Sequence, residues 1–169
     1  MSIESTCAIT GHRPEKLGFA SSDADCAEYV RFRGELTRAI CRMAEDGVDT
    51  FLVGGARGVD TWAMETVSML KYHNPAVRMI AVLPYPGHNP FRDAAACQHY
   101  QILLARCDKI VYVSDSYHAK CFLLRNRWMV DHAGRVLAVW NGGGHSGTAQ
   151  TVRYARKLGR HVTVLTPTV

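Results

Sequence analysis

Six short apolar, β-favouring runs recur along the chain, each separated from the next by a stretch that keeps the helical period. They are Cys7 to Thr10, Thr50 to Val53, Arg78 to Leu83, Lys109 to Val113, Arg135 to Trp140 and His161 to Leu165. Most are continuously apolar rather than alternating, the pattern of strands covered on both faces of a parallel sheet. Tyr29, Leu36, Ile40 and Met43 line one face of a first helix, which Gly47 stops; Val59, Ala63, Val67 and Leu70 line a second, which Asn74-Pro75 stops. Phe91 to Arg106 and Ala119 to His132 carry weaker stripes, and Ala149, Val152, Ala155 and Leu158 line a last helix before Gly159. This alternation predicts an α/β fold with an open, mostly parallel sheet and helices on both faces. A length of 169 residues fits a single domain over residues 1–169.

In such sheets ligands sit beyond the carboxyl ends of the strands, and every polar or glycine-rich segment of note falls there. Two strands run through glycine-rich turns straight into helices. The first turn is Gly54-Gly55-Ala56-Arg57-Gly58-Val59-Asp60, and the second is Asn141-Gly142-Gly143-Gly144-His145-Ser146-Gly147-Thr148. A helix start leaves backbone N–H groups unpaired at the positive end of the helix dipole, where phosphate or carboxylate binds. Glycine permits positive φ and close approach of a ligand. The expectation is that amides of both turns converge on one anion. Each turn also has a plainer reading as a tight connection, with Asp60 favoured by the dipole alone. Neither turn is GxGxxG or a P-loop. In the second, Ser146 is placed to cap the final helix while Gly147 and Thr148 offer donors.

Three further segments lie at strand ends. Thr10-Gly11-His12-Arg13 reads as a phosphate loop with Arg13 as a forked donor, or as a simple turn. Pro84-Tyr85-Pro86-Gly87-His88-Asn89-Pro90 reads as a proline-stiffened loop in which Tyr85 stacks on a base or flanks a pocket, or as a rigid crossover loop. On the predicted helix near residue 125, Arg125 and Trp128 share a face, as do Arg127 and Asp131. Arg125 or Asn126 against a ligand is one account of that helix, and a surface ion pair beside a buried indole is the other.

Composition narrows the partners. Twenty Lys+Arg against fifteen Asp+Glu give a net charge of +5, compatible with a phosphorylated ligand or a nucleic acid; the basic residues are scattered, which argues against a disordered nucleic-acid arm. No apolar run approaches the roughly 20 residues that span a bilayer, and the N-terminus lacks a signal-peptide pattern, so a cytoplasmic location and no membrane partner are expected. The six cysteines include no CxxC pair and read as reduced core fillers; no metal site is expected, because clustered ligands are missing. No nucleophile–base arrangement is legible from spacing, so no catalytic residue is assigned, and no cofactor is required beyond a nucleotide-type ligand.

Gly-His-Arg-Pro near the start, Gly-Gly-x-x-Gly-Val-Asp-x-Trp-Ala after the second strand, Arg-Asn-x-Trp-Met-Val-Asp and the late Gly-Thr turn together resemble the YpsA-like family of the SLOG superfamily. The resemblance spans nearly the whole chain and implies a Rossmann-like domain. Relatives in that superfamily include DprA, which binds single-stranded DNA, and the LOG-type phosphoribohydrolases. It implies binding of a nucleotide or an ADP-ribose- or NAD-like ligand in a sensing or regulatory role. Carried across, the candidates are Gly11, Arg13, Gly54, Gly55, Gly58, Asp60, Arg125, Asn126, Gly143, Gly144, Gly147 and Thr148. The resemblance also implies a homo-oligomer, since superfamily relatives often pair through helices. The chain departs from the LOG enzymes at their GGxGTxxE turn: Thr151 stands where the catalytic glutamate would be, and Glu65, on the first-turn helix, is the alternative acid for that place in space.

Overall fold

Strand segments whose side chains are apolar on both faces can be buried only inside a layered structure, and this chain builds one. The structure, a computed structural model, describes residues 2–18 and 26–167; Met1 and Val169, the ends of the expected domain, lie outside them. Strands β1 (Thr6–Gly11), β2 (Thr50–Val53), β3 (Arg78–Leu83), β4 (Lys109–Tyr112), β5 (Arg135–Val139) and β6 (His161–Leu165) form one sheet. Its order is β4-β3-β2-β1-β5-β6, and every adjacent pair is parallel. The expected strands agree with these to within one residue at each end. Val113 and Trp140, expected inside strands, fall just past them yet still donate to the carbonyls of Leu83 and Leu165.

Helices α1 (Ala27–Glu45), α2 (Val59–His73) and α3 (Ala94–Ala105) cover one face, and α4 (Cys121–Asp131) and α5 (Gly147–Lys157) the other. Alternation along each strand divides the core accordingly. Cys7, Ile9, Phe51, Val53 and Leu137 pack with α1 to α3, while Ala8, Leu52, Ile80 and Val136 pack with α4 and α5. In α1, Phe32, Leu36, Ile40 and Met43 are buried at helical spacing. Each such burial stabilises by roughly 1.5–3 kcal/mol, an upper bound against a compact denatured chain. Helix α2 is different: it lies under its neighbours, and eight residues from Val59 to Val67 are buried, Asp60 among them.

Two expectations need correction. Strand β4 is one of the two sheet edges and is not covered on both faces: Ile110 is 37% and Tyr112 47% exposed. An edge strand has a neighbour on one side only, so apolar content alone does not reveal its exposure. Leu158, expected on the inner stripe of α5, follows the helix end and is 41% exposed. All six cysteines are free, and burial pushes the Cys7 thiol up to about 12. No helix among the described residues is long and apolar enough to cross a membrane.

Candidate functional site

From β1 the chain steps outward through β2, β3 and β4, then crosses back to β5 on the other side of β1. The helix that follows β1 and the helix that follows β5 therefore lie on opposite faces, and a crevice opens between the two strand ends. A cleft of about 910 Å³ occupies it. Its walls come from the loop after β1, the starts of α2 and α5, the β3–α3 loop and one face of α4. A shallower recess of about 690 Å³ adjoins it beside His12, Lys16 and residues 143–146.

The second glycine turn delivers the start of α5 to this cleft. Ser146 caps the helix, its Oγ accepting the Ala149 N–H at 3.1 Å. The Gly147 and Thr148 N–H groups precede any possible intrahelical acceptor, and both residues line the cleft. A Cβ placed on Gly142, Gly143 or Gly144 would meet nothing within 4 Å, and on Gly147 only Asn126 Nδ2 at 3.8 Å. The turn is held from beneath. His12, only 4% exposed, places Nε2 3.1 Å from Asn141 Oδ1, and the same oxygen accepts the Gly143 N–H. Trp140 Nε1 donates to the Gly143 carbonyl at 3.0 Å.

The first glycine turn is filled by the protein itself. A Cβ on Gly54 would lie 1.5 Å from Arg125 Nη1, on Gly55 2.5 Å from Tyr100 Oη, and on Gly58 2.7 Å from Pro14 Cδ. A Cβ on Gly11 would strike Val59 at 2.6 Å. These four glycines admit neighbouring protein groups, and none of Gly54, Gly55 and Gly58 lines the cleft. The Ala56 N–H donates to Asp60 Oδ2 at 3.0 Å rather than pointing outward. From this turn Ala56, Arg57 and Asp60 reach the cleft, and Arg57 is paired with Glu15.

Arg125 crosses from α4 to this turn. Its Nη1 donates to Asp60 Oδ2 at 3.3 Å, and both side chains are more than nine-tenths buried. Burial pushes the Asp60 carboxyl above its ordinary value, against the opposing pull of Arg125 and the Ala56 N–H. Arg125 Nε is buried and makes no hydrogen bond, although the residue lines the cleft. An unmatched guanidinium N–H beside a polar cleft is a donor without its acceptor. Arg13, Lys16 and Arg92 also line the cleft and make no salt bridge among the described residues. The carboxylates are fewer and engaged: Asp60 as described, and Asp93 as the cap of α3, accepting the Ala96 N–H at 3.0 Å.

The β3–α3 loop adds His88, Pro90 and Phe91 to one end of the cleft, and α4 adds Phe122. Burial, with Arg125 and Arg13 nearby, lowers the His88 imidazole to about 4, so the ring is neutral at pH 7. Its Nδ1 lies 3.5 Å from Tyr85 Oη. Pro84 and Tyr85, expected as ligand contacts, open this loop but do not line the cleft, nor does Gly142.

The sequence therefore placed Thr10, Gly11, His12, Arg13, Ala56, Arg57, Asp60, Arg125, Asn126, Ser146, Gly147 and Thr148 around one cleft, with Gly143 and Gly144 on its adjoining recess. His88 and Pro90 fall inside the loop singled out at residues 84–90 but were not named as contacts, and Lys16, Phe91, Arg92, Asp93 and Phe122 were missed. Phe122, Arg125, Asn126 and Met129 recur at one-face helical spacing and all line the cleft, a signal that was present but obscured by the weak apolar stripe of α4. The expected Arg127–Asp131 pairing is replaced: Arg127 lies over the Tyr154 ring at 5.5 Å, and Asp131 accepts the Tyr154 hydroxyl at 2.8 Å. Thr151, at the position of the LOG glutamate, donates to the Gly147 carbonyl at 2.8 Å. Glu65 lies off the cleft, bound to Arg33 at 2.7 Å and His99 at 2.9 Å.

A family model described as the YspA SLOG family matches residues 7–166. Among curated relatives, a UPF0398 protein of Bacillus pumilus is 25% identical over 136 residues, covering 79% of this chain and 72% of the relative. A UPF0398 protein of Bacillus thuringiensis is 23% identical over 154 residues, covering 90% and 83%. Two solved structures share the fold. DNA processing protein A from Helicobacter pylori, in a structure concerned with its single-stranded DNA binding mode, gives a TM-score of 0.60 at 19% identity. The DprA of Streptococcus pneumoniae gives 0.59 at 17%. The matches cover 96% and 94% of this chain but only 65% and 50% of those two chains.

Proposed function

The chain belongs to the YspA SLOG family, and from that premise we propose that its switch-point cleft binds the phosphate of a nucleotide or nucleotide-derived ligand of the ADP-ribose or NAD kind, in a sensing or regulatory role. One observation carries the reading: the start of α5, at Gly147 and Thr148, and the Arg125 side chain line the same cleft. Phosphate supplies several acceptor oxygens and negative charge, which suits a helix start and a guanidinium together. Arg13, Lys16 and Arg92 add positive potential that draws such a ligand in. A catalytic role has less support, because the two cleft carboxylates are already hydrogen-bonded and Glu65 lies elsewhere.

A second reading is binding of single-stranded nucleic acid, favoured by the single-stranded DNA binding of the H. pylori DprA and by the cationic rim. Calorimetry with ADP-ribose, NAD, AMP and a short single-stranded oligonucleotide tests both. The first reading expects saturable 1:1 binding of a small nucleotide that Gly147→Val abolishes without loss of fold. Heat only with the oligonucleotide, falling steeply with salt, moves the assignment to the second. No heat with any of them defeats both.

A further inference from the structure

The cleft is larger than a phosphate needs, and its two ends differ in chemistry. One end, at β1 and β5, presents main-chain amides and hydroxyls; the other, under the β3–α3 loop, presents rings. Strands β5 and β3 are three sheet spacings apart, on the order of 14 Å at about 4.8 Å per strand. That separation is the scale of a nucleoside phosphate laid along the cleft.

The rings are arranged as a corner. His88 and Phe122 have centroids 5.5 Å apart with planes at 76°, so a planar ring lying on one is met edge-on by the other. Tyr85 packs edge-to-face with His88 at 5.3 Å and 73°, and Tyr117 with Tyr85 at 5.8 Å, which props the imidazole in place. Phe91 rests on the buried Tyr100 at 5.6 Å. His88, Phe91 and Phe122 are each only partly buried, with their remaining exposure bordering a cleft otherwise dominated by charge. A cationic cleft has no need of apolar rings to hold phosphate. Rings of this size gain most when a flat, largely uncharged partner covers them. The neutral state of His88 keeps this corner from adding charge at the base end.

We infer that His88 and Phe122 form a nucleobase seat, so that the cleft recognises a nucleoside 5′-phosphate through its base as well as its phosphate. This rests on the phosphate reading above. The seat favours any aromatic base and does not by itself choose among them, since stacking is tolerant of base identity.

The test compares AMP, ribose 5-phosphate and inorganic phosphate by calorimetry on the wild-type chain, then on Phe122→Ala and Phe122→Trp. The expected result is that wild type binds AMP about ten- to a hundredfold more tightly than ribose 5-phosphate, the gain typical of one stacked base. Phe122→Ala brings AMP down to the ribose 5-phosphate level and leaves ribose 5-phosphate unchanged; Phe122→Trp keeps the preference. Equal affinity of wild type for AMP and ribose 5-phosphate overturns the seat while leaving the phosphate site standing. So does wild-type AMP affinity in a folded Phe122→Ala chain. Binding of none of the three overturns both readings. The wild-type ratio needs no variant, so it decides even where Phe122→Ala fails to fold. A 5′-phosphorylated oligonucleotide that displaces AMP supports the same seat with a strand supplying the unit, and failure to displace assigns it to the free nucleotide.

Discussion

The two glycine-rich turns look alike on paper and have opposite occupants. In the turn at residues 54–58, the space left by missing side chains is taken by Arg125, Tyr100 and Pro14; in the turn at residues 142–147, it is open, with only Asn126 at ordinary contact distance. A glycine records that something needs room, without recording what. At the first turn the occupant is a buried ion pair that ties α4 to the start of α2. At the second, the open side faces a cleft and a helix start. The first turn is part of the scaffold that carries Arg125 to the site, and the second is the surface on which a ligand is proposed to sit.

This contrast can be broken by experiment. The largest effect is expected at the pair itself. Arg125→Met leaves Asp60 buried without its cation, which costs about 3–5 kcal/mol in unfolding free energy at pH 7. Burial already raises the Asp60 carboxyl, so without Arg125 it protonates more readily. The deficit relative to wild type therefore shrinks as pH falls into the carboxylate range, which paired denaturant titrations at pH 7 and pH 5 would detect. A deficit that stayed constant or grew would mean that Arg125 stabilises by packing alone.

Next comes the same substitution made in both turns. Gly55 has φ +70°, and its added Cβ would strike Tyr100 and Leu83, so Gly55→Val should destabilise by about 2–4 kcal/mol. Gly147→Val, at an exposed position with 3.8 Å of clearance, should cost less than about 1 kcal/mol while removing ligand binding. Chemical denaturation and calorimetry on the two variants give the comparison directly; similar stability losses would erase the distinction between the turns. A smaller effect is expected at the cap. Ser146→Ala removes the acceptor for the Ala149 N–H and should cost about 1 kcal/mol, with weaker ligand binding as the helix start frays.

The smallest effect is a titration. In the free protein the His88 imidazole should titrate near pH 4 by NMR, lowered first by burial and then by Arg125 and Arg13. A histidine held below its unfolded value contributes stability that is present above the ordinary range near 6.5 and is lost as pH falls toward 4. A base seated on the ring deepens the burial that is the main cause of this lowering, so saturating AMP should leave the midpoint at or below its free value. A raised midpoint would place the ligand's phosphate, rather than its base, at this end of the cleft.

Much of the scaffold was legible in the linear chain. Continuous apolar runs predicted the sheet because a residue between two helical layers has no solvent-facing side, and one-face spacing predicted α1, α2 and α5 because a helix buries a stripe. Ser146 as a cap and the amides after it were readable for a similar reason: capping is a contact within four residues. What the sequence could not disclose was every relation between distant segments. That Gly54 makes way for Arg125, 71 positions later, that His12 holds Asn141 and that His88 and Phe122 make a corner follow from the crossover of the chain from β4 to β5; that Glu65 is engaged by Arg33 and His99 follows from α1, α2 and α3 packing side by side on one face. Local periodicity is set by the backbone and its nearest neighbours, so sequence alone determined the elements and the edge at which a site would lie. Which glycines are open and which are filled was decided only when the sheet order brought the elements together.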